Sequence, residues 1–197
     1  YENHHGFLYA EQSLENRLLY GFYPDVLNNV GDEVGILRNL VNSYLYKDIL
    51  SYADIRKPEV LEKLVQALAL QIGSEVNYSE LAQTVNVDKN TVSKYIDILE
   101  KGYIIFKLSS FSRNVRNEIK TNKKIYFYDN GIRNTIIGQF NPLKSRQDTG
   151  ALFENFIISE KVKRLSYNGF YGKIHFWRNT QKAEIDFLEI IENEISV

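Results

Sequence analysis

The 197-residue chain contains no cysteine, and this absence excludes disulfide bridges and thiolate-ligated metal centres. No run of apolar residues approaches the length of a membrane span, and no secretory signal peptide is visible. We therefore expect no membrane partner and a cytoplasmic location, most simply in a bacterium or an archaeon.

Methionine is also absent, even at the first position, which is Tyr1. The last residues, up to Val197, have the pattern of an unfinished strand. These two features predict a fragment of a longer protein. The sequence also lacks the phosphate-loop motif G-x-x-x-x-G-K-[ST] and the motifs G-x-G-x-x-G, G-x-S-x-G and H-E-x-x-H. No cofactor is therefore predicted within this chain, apart from the magnesium considered below.

The residues that are present suffice for a folded core, since 44% are hydrophobic and 13% aromatic. Such a composition argues against disorder. The hydrophobic periodicity predicts a mixture of helices and strands, and therefore an α+β fold. The predicted helices cover 14–20, 34–52, 59–72 and 151–165; the predicted strands cover 103–108, 124–128, 173–178 and 183–191, and another strand begins after 193.

The most informative segment runs from Leu81 to Lys101 and predicts a helix-turn-helix. Asn86 suits a left-handed turn, and Asp88 is a suitable N-cap for the second helix. The following strand, 103–108, predicts a wing, whose tip would be 109–124. Because a recognition helix presents its N-terminal residues to duplex DNA, we expect DNA contacts from Lys89, Asn90, Ser93, Lys94, Lys101, Arg113 and Arg116.

The charge distribution favours the same partner. Between Lys89 and Lys124 there are nine basic residues and three acidic ones, although the whole chain has a net charge of −1. A local basic excess is the electrostatic footprint of phosphate contact. The competing interpretation is a module that contacts only protein, since Asp97 and Glu100 lie on the same predicted helix.

Three carboxylates near the C-terminal end carry a second hypothesis. Glu154 lies on a predicted helix, and Glu184 and Asp186 lie on one face of a predicted strand. This order resembles the start of a PD-(D/E)xK nuclease, in which carboxylates hold Mg²⁺ and the metal activates water. We assign Glu154, Glu184 and Asp186 as candidate catalytic residues, with Glu154 and Asp186 as magnesium ligands. The alternative is that Glu184 and Asp186 are solvated strand residues or partners of Arg178.

A complete site of that kind also needs Glu-x-Lys on the next strand, where this chain stops. The predicted organisation is therefore a helical lead-in over 1–56, a winged helix over 57–137, a linker over 138–150 and a truncated restriction-endonuclease-like α/β unit over 151–197.

Several short motifs together resemble the C-terminal region of a large group of prokaryotic AAA-type ATPases. The resemblance implies a winged helix followed by a restriction-endonuclease-like domain of unknown function, with ATP bound only by an N-terminal domain outside this chain. The motifs are Gly21–Asp25, Tyr44–Ile49, Lys124–Gly131, Gly150–Asn155 and Glu184–Phe187.

Three functions follow as expectations. The first is a DNA-binding or regulatory module of such an ATPase, with duplex DNA and the protein's own ATPase domain as partners. The second is a metal-dependent nuclease whose last catalytic strand is missing here, so that this fragment is inactive. The third is a non-enzymatic protein-interaction module. A homo-oligomer is compatible with all three.

Overall fold

The computed structural model describes residues 6–49, 51, 55, 57–112, 123–169, 172–179, 181, 183–191 and 194–196. Within these ranges, eight α-helices and one six-stranded sheet form a mixed α+β fold, as predicted. The helices are α1 (Gly6–Tyr20), α2 (Pro24–Asn28), α3 (Glu33–Leu40), α4 (Pro58–Leu70), α5 (Tyr78–Val85), α6 (Lys89–Lys101), α7 (Asn130–Ile136) and α8 (Thr149–Tyr167).

The strands are β1 (Glu75–Val76), β2 (Ile105–Ser110), β3 (Lys123–Phe127), β4 (Lys173–Arg178), β5 (Glu184–Ile191) and β6 (Glu194–Ser196). Their order in the sheet is β1-β3-β2-β4-β5-β6. Only the β2–β4 pair among them is parallel. Strands from the predicted winged-helix and nuclease-like regions therefore belong to one continuous sheet.

The alternation of side chains along β2 and β3 places a separate core on each face of the sheet. Ile105, Ile125 and Phe127 face the larger core, which includes side chains from α3 to α7. Phe106 and Tyr126, their neighbours in sequence, face a smaller core with Ile158 of α8. The central strands are thus covered on both sides, and α8 lies on the face opposite α6.

The elements differ from the prediction mainly in their bounds. The helix predicted over 34–52 is α3 followed directly by a π-helix, Val41–Ile49. Helix α1 begins earlier than predicted within the described residues. Neither α2 nor β1 was predicted, because five and two residues are too few to display a hydrophobic period.

The predicted turn between α5 and α6 is confirmed in detail. Asn86 has a φ of 55°, and the amides of Asn86 and Val87 donate to carbonyls of the preceding turn. The Asp88 carboxylate then accepts hydrogen bonds from the amides of Asn90 and Thr91, both at 2.9 Å. The predicted inward residues Val92, Ile96 and Leu99 are buried.

The turn after β3 joins the N-terminal helices to the rest of the fold. Asp129 is buried, and its carboxylate accepts hydrogen bonds from the amides of Phe22 at 2.8 Å and Ile132 at 3.0 Å. Gly21 has a φ of 74°, and a Cβ atom there would lie 2.1 Å from Oδ1 of Asp129. A side chain at Gly21 would therefore break this contact.

A buried amide, that of Asn155 on α8, closes the end of β3. Its Oδ1 accepts from the Phe127 amide at 2.7 Å, while its Nδ2 donates to the Phe127 carbonyl at 3.0 Å and to Oδ1 of Asn130 at 2.7 Å. The Asn130 Nδ2 donates in turn to the Leu152 carbonyl. The Asn155 side chain thereby connects α8 to the backbone of the last residue of β3.

Two buried arginines lie beside this turn and share one carboxylate. Arg146 and Arg133 both bond to Asp148, with Arg146 Nη2 at 2.8 Å and Arg133 Nη1 at 2.5 Å from Oδ2. Hydrogen bonds from Arg146 and then Arg133 lower the pKa of Asp148 to about 2. Arg133 also donates to the Ala69 carbonyl, which ties α7 to the end of α4.

We predict that Asn155→Ala lowers the free energy of unfolding by about 3 kcal/mol, because it leaves buried backbone groups of Phe127 unpaired. Urea unfolding followed by circular dichroism measures the change. Asn168→Ala, at an exposed position beyond the end of the same helix, is the matched control. An equal loss in both variants would contradict this role for Asn155.

Candidate functional site

The outward face of α6 carries the residues predicted to contact DNA. Lys89, Asn90, Lys94 and Lys101 are exposed, and Ser93 is half-buried. Lys89, Asn90, Ser93 and Lys94 lie in the first two turns of the helix, at spacings that place them on neighbouring positions of its surface. The helix therefore presents a compact set of hydrogen-bond donors at its N-terminal end.

The two acidic residues of α6 are paired within the protein. Lys107 of β2 places its Nζ 2.8 Å from Asp97 Oδ1 and 2.7 Å from Glu100 Oε2. Burial alone would lower the pKa of Lys107, but the hydrogen bonds to Asp97 and Glu100 outweigh it and the pKa is raised. The acidic side chains that supported the protein-contact interpretation thus already have a cation beside them.

Two of the basic residues counted in this region are engaged inside the protein. Lys107 is bound to Asp97 and Glu100, and Lys124 is only 4% exposed. Neither is therefore a free cation at the surface. The predicted contacts Arg113 and Arg116 lie outside the described residues.

The three predicted carboxylates meet around Lys124, and these four side chains form what we term the acid–lysine cluster. The Lys124 Nζ lies 3.2 Å from Glu154 Oε1, 2.6 Å from Glu184 Oε1 and 2.9 Å from Asp186 Oδ1. Glu154 comes from α8, Glu184 and Asp186 from β5, and Lys124 from β3. One ammonium group therefore connects three elements that are distant in sequence.

The surroundings of the cluster hold these groups in place. The Tyr126 hydroxyl donates to Glu154 Oε1 at 2.7 Å, and the Lys124 Nζ lies 5.5 Å from the centre of the Phe176 ring. A Cβ atom at Gly73 would lie 3.2 Å from Glu154 Oε1, so glycine leaves space for this carboxylate. Burial and then the hydrogen bond to Glu154 raise the pKa of Tyr126.

Lys124 remains charged in this environment. Burial by itself lowers the pKa of an ammonium group, but hydrogen bonds to Glu184 and Asp186 and the charge of Glu154 reverse the effect, and the pKa of Lys124 is raised. Its stabilising contribution is therefore complete below its ordinary pKa of 10.5 and is lost only at more alkaline pH.

Sequence reasoning identified the carboxylates but missed Lys124 and Tyr126. Lys124 was assigned to the DNA footprint because it adjoins the predicted wing. Its three partners lie 30 to 62 residues away, so no local pattern could reveal them. The alternative partner of Glu184, Arg178, lies 3.9 Å away through Nε, farther than Lys124.

The magnesium assignment stays a prediction. Carboxylate oxygens of Glu154 and Asp186 have the right chemistry for Mg²⁺, but both face the ammonium group of Lys124. Across the described ranges, no group of three or more His, Asp or Glu residues is arranged to hold a metal ion. A metal could be held here only if Lys124 moved.

None of the helices within the described residues has both the length and the apolar character needed to cross a membrane.

Comparison with known proteins places this chain in a family. A family model described as Domain of unknown function (DUF8612) matches residues 11–143, which is more than half of the chain. The chain belongs to this family. A second model, Domain of unknown function (DUF4143), matches residues 149–196. The DUF8612 region therefore contains α6 and Lys124, and the DUF4143 region contains the three carboxylates.

Curated relatives of this DUF8612 member occur in bacteria and in an archaeon. An uncharacterized protein of Haemophilus influenzae is 28% identical over 184 residues, which are 89% of this chain and 42% of the relative. An uncharacterized protein of Mycobacterium tuberculosis is 26% identical over 149 residues, which are 74% of this chain and 33% of the relative. An uncharacterized protein of Methanocaldococcus jannaschii is 25% identical over 122 residues, which are 59% of this chain and 25% of the relative. The chain spans less than half the length of these relatives. No solved structure matches it.

We predict that Lys124→Ala lowers the free energy of unfolding by about 3 kcal/mol near neutral pH, because three carboxylates lose their shared cation. The deficit should persist up to the ordinary lysine pKa of 10.5 and narrow only at more alkaline pH, because the raised pKa of Lys124 keeps the ammonium group charged until then. Urea unfolding from neutral to alkaline pH measures both effects.

The control is Lys123→Ala, which removes the neighbouring, half-buried lysine of the same strand. A deficit in Lys124→Ala that does not narrow at alkaline pH, or the same loss in both variants, would argue against a shared cation.

Proposed function

We propose that this chain is the DNA-associated module of a longer prokaryotic AAA-type ATPase, and that α6 contacts duplex DNA as the recognition helix of a winged helix. The observation that carries the proposal is the exposed set Lys89, Asn90 and Lys94 at the start of α6. Such side chains donate to phosphates and base edges.

The order and pairing of the elements support the winged-helix part of the proposal. Helices α5 and α6 are joined by a short capped turn, and β2 and β3 follow as an antiparallel pair. Strand β1 lies on the other side of β3. The segment that joins β2 to β3 would be the wing, and its Arg113 and Arg116 would add phosphate contacts.

The pairing of Lys107 with Asp97 and Glu100 supports the electrostatic part. Unpaired carboxylates on α6 would repel phosphates, and an internal cation removes much of that repulsion. The exposed lysines at the N-terminal end of α6 then determine the local charge that DNA meets.

The link to an ATPase rests on the resemblance of the motifs and on the greater length of the curated relatives. ATP would be bound by a domain outside this chain. The competing function is a protein-contact module that regulates the ATPase, and it predicts no affinity for duplex DNA even at low salt.

The test is binding to a fluorescent random duplex across a range of salt concentrations. We expect the Lys89→Ala/Lys94→Ala variant to bind more weakly and to reduce the slope of log K against log salt by about 2. Lys63→Ala/Lys144→Ala removes the same charge from exposed positions elsewhere and should change neither quantity. Equal slopes for both double variants, or no binding at low salt, would favour the protein-contact function.

A second candidate function is metal-dependent nucleic-acid cleavage, and the convergence of Glu154, Glu184 and Asp186 favours it. In this function Glu154 and Asp186 would hold Mg²⁺, which would supply an activated water. The acid–lysine cluster would have to open, because Lys124 Nζ occupies the point that these oxygens share.

Nicking of supercoiled plasmid with Mg²⁺ or Mn²⁺ tests this candidate, in the present chain and in the longer protein. We expect cleavage only in the longer protein, and we expect Asp186→Asn to abolish it. Glu189→Gln, on the same strand and paired with Lys161, is the matched control. Cleavage that survives Asp186→Asn would exclude the cluster as its source.

A further inference from the structure

A cavity of about 430 Å³ opens on the side of the molecule where α6, β3 and α8 end. Its size falls within the range of small-ligand pockets. Neither the DNA-contacting face of α6 nor the acid–lysine cluster contributes to it. The residues that determine its character are Phe22, Tyr23, Tyr103, Tyr128, Tyr167 and Asp129.

Five of the ten residues that line the cavity are aromatic. Tyr103 and Tyr167 are 69% and 85% exposed, so their rings are open to an incoming ligand. Tyr128 lies beside Tyr103, with ring centres 5.7 Å apart and ring planes tilted by 59°. The faces of such rings carry negative electrostatic potential and attract cations.

The backbone at Tyr103 is strained. Its φ is 53°, and the hydrogen bonds of Tyr103 to Glu100 and of Ile104 to Leu99 identify it as the residue that ends α6 in a left-handed conformation. Glycine is usual at that position, and here Gly102 comes one residue too early to occupy it. A bulky residue in this conformation costs free energy, and such strain is concentrated at ligand sites.

The charge of the cavity is also unbalanced. The buried carboxylate of Asp129 accepts hydrogen bonds from backbone amides, and within the described residues it forms no ion pair. Lys163, which also lines the cavity, is bonded to Glu160. Burial raises the pKa of Asp129 even though those amides and the charge of Lys163 oppose the shift. A cation in the cavity would oppose this shift and favour the ionised carboxylate.

The wall of the cavity already contains an aromatic ring with cations close to it. Arg17 and Lys163 lie 5.1 Å and 5.6 Å from the centre of the Phe22 ring. The Asp129 carboxylate would repel an anionic ligand, and a neutral planar ring could form no ion pair with this carboxylate. Rings and a carboxylate around one space suit a cation best, and a guanidinium group can also stack flat on tyrosine.

We propose that this cavity binds a cationic side chain, an arginine or a lysine, presented by a partner polypeptide. The tyrosine rings would contact its faces, and Asp129 would supply the opposing charge. In this proposal the cavity is a protein-docking site separate from the proposed DNA surface. If the docking proposal failed, the DNA proposal would be unaffected.

The first test compares arginine amide with citrulline amide, which has nearly the same shape and the same α-amino group but lacks the guanidinium charge. Binding is followed by saturation-transfer NMR and by amide chemical shifts near Tyr103 and Tyr128. We expect arginine amide to bind at least about fivefold more tightly, from the loss of roughly 1 kcal/mol of cation–π energy. Equal affinities, no binding of arginine amide up to its solubility limit, or tighter binding of a neutral nucleoside would overturn the proposal.

Two further arms locate the site and identify the source of the cation. Tyr103→Asn keeps a residue that tolerates the left-handed backbone and should weaken arginine binding about fivefold, as should Tyr167→Ala. Phe153→Ala removes an exposed ring outside the cavity and should have no effect. The peptide Gly-Arg-Gly, blocked at both ends, should bind as well as arginine amide. Failure of the peptide to bind would indicate a free amine and overturn the partner assignment.

Discussion

The Asn155 side chain is the contact on which the arrangement of both candidate sites depends. It satisfies the backbone at the end of β3 and fixes that strand against α8. Strand β3 pairs with β1 and β2, and its first residues carry Lys124 into the acid–lysine cluster. Since α6 packs against the opposite face of the same sheet, a shift of β3 would displace both sites together.

The fold thus couples two regions that family models treat as separate. Lys124 belongs to the DUF8612 region, and its three carboxylate partners belong to the DUF4143 region. A buried ion pair with one partner removed is costly, so the two regions stabilise each other through this cluster. The parallel pairing of β2 with β4 adds a backbone connection between them.

Local features were predictable where short-range physics determines them. The left-handed Asn86, the Asp88 cap and the buried face of α6 each depend on residues within one or two helical turns. The spacing of Glu184 and Asp186 fixes them on one face of β5 for the same reason. The cavity beside Tyr103 and the part played by Lys124 were not predictable, because each combines residues from segments more than 20 positions apart.

The sequence by itself determined the α+β class, most helices and strands, and the set of polar residues available for function. The tertiary structure decided how those residues are used. It bound Lys107 to the acids of α6, buried Lys124 among three carboxylates and brought four tyrosines around Asp129. The physical reason is the sequence separation over which each interaction acts. Hydrophobic periodicity and helix capping involve residues that are close in sequence, whereas ion pairs join residues that are far apart in sequence but close together in the folded sheet.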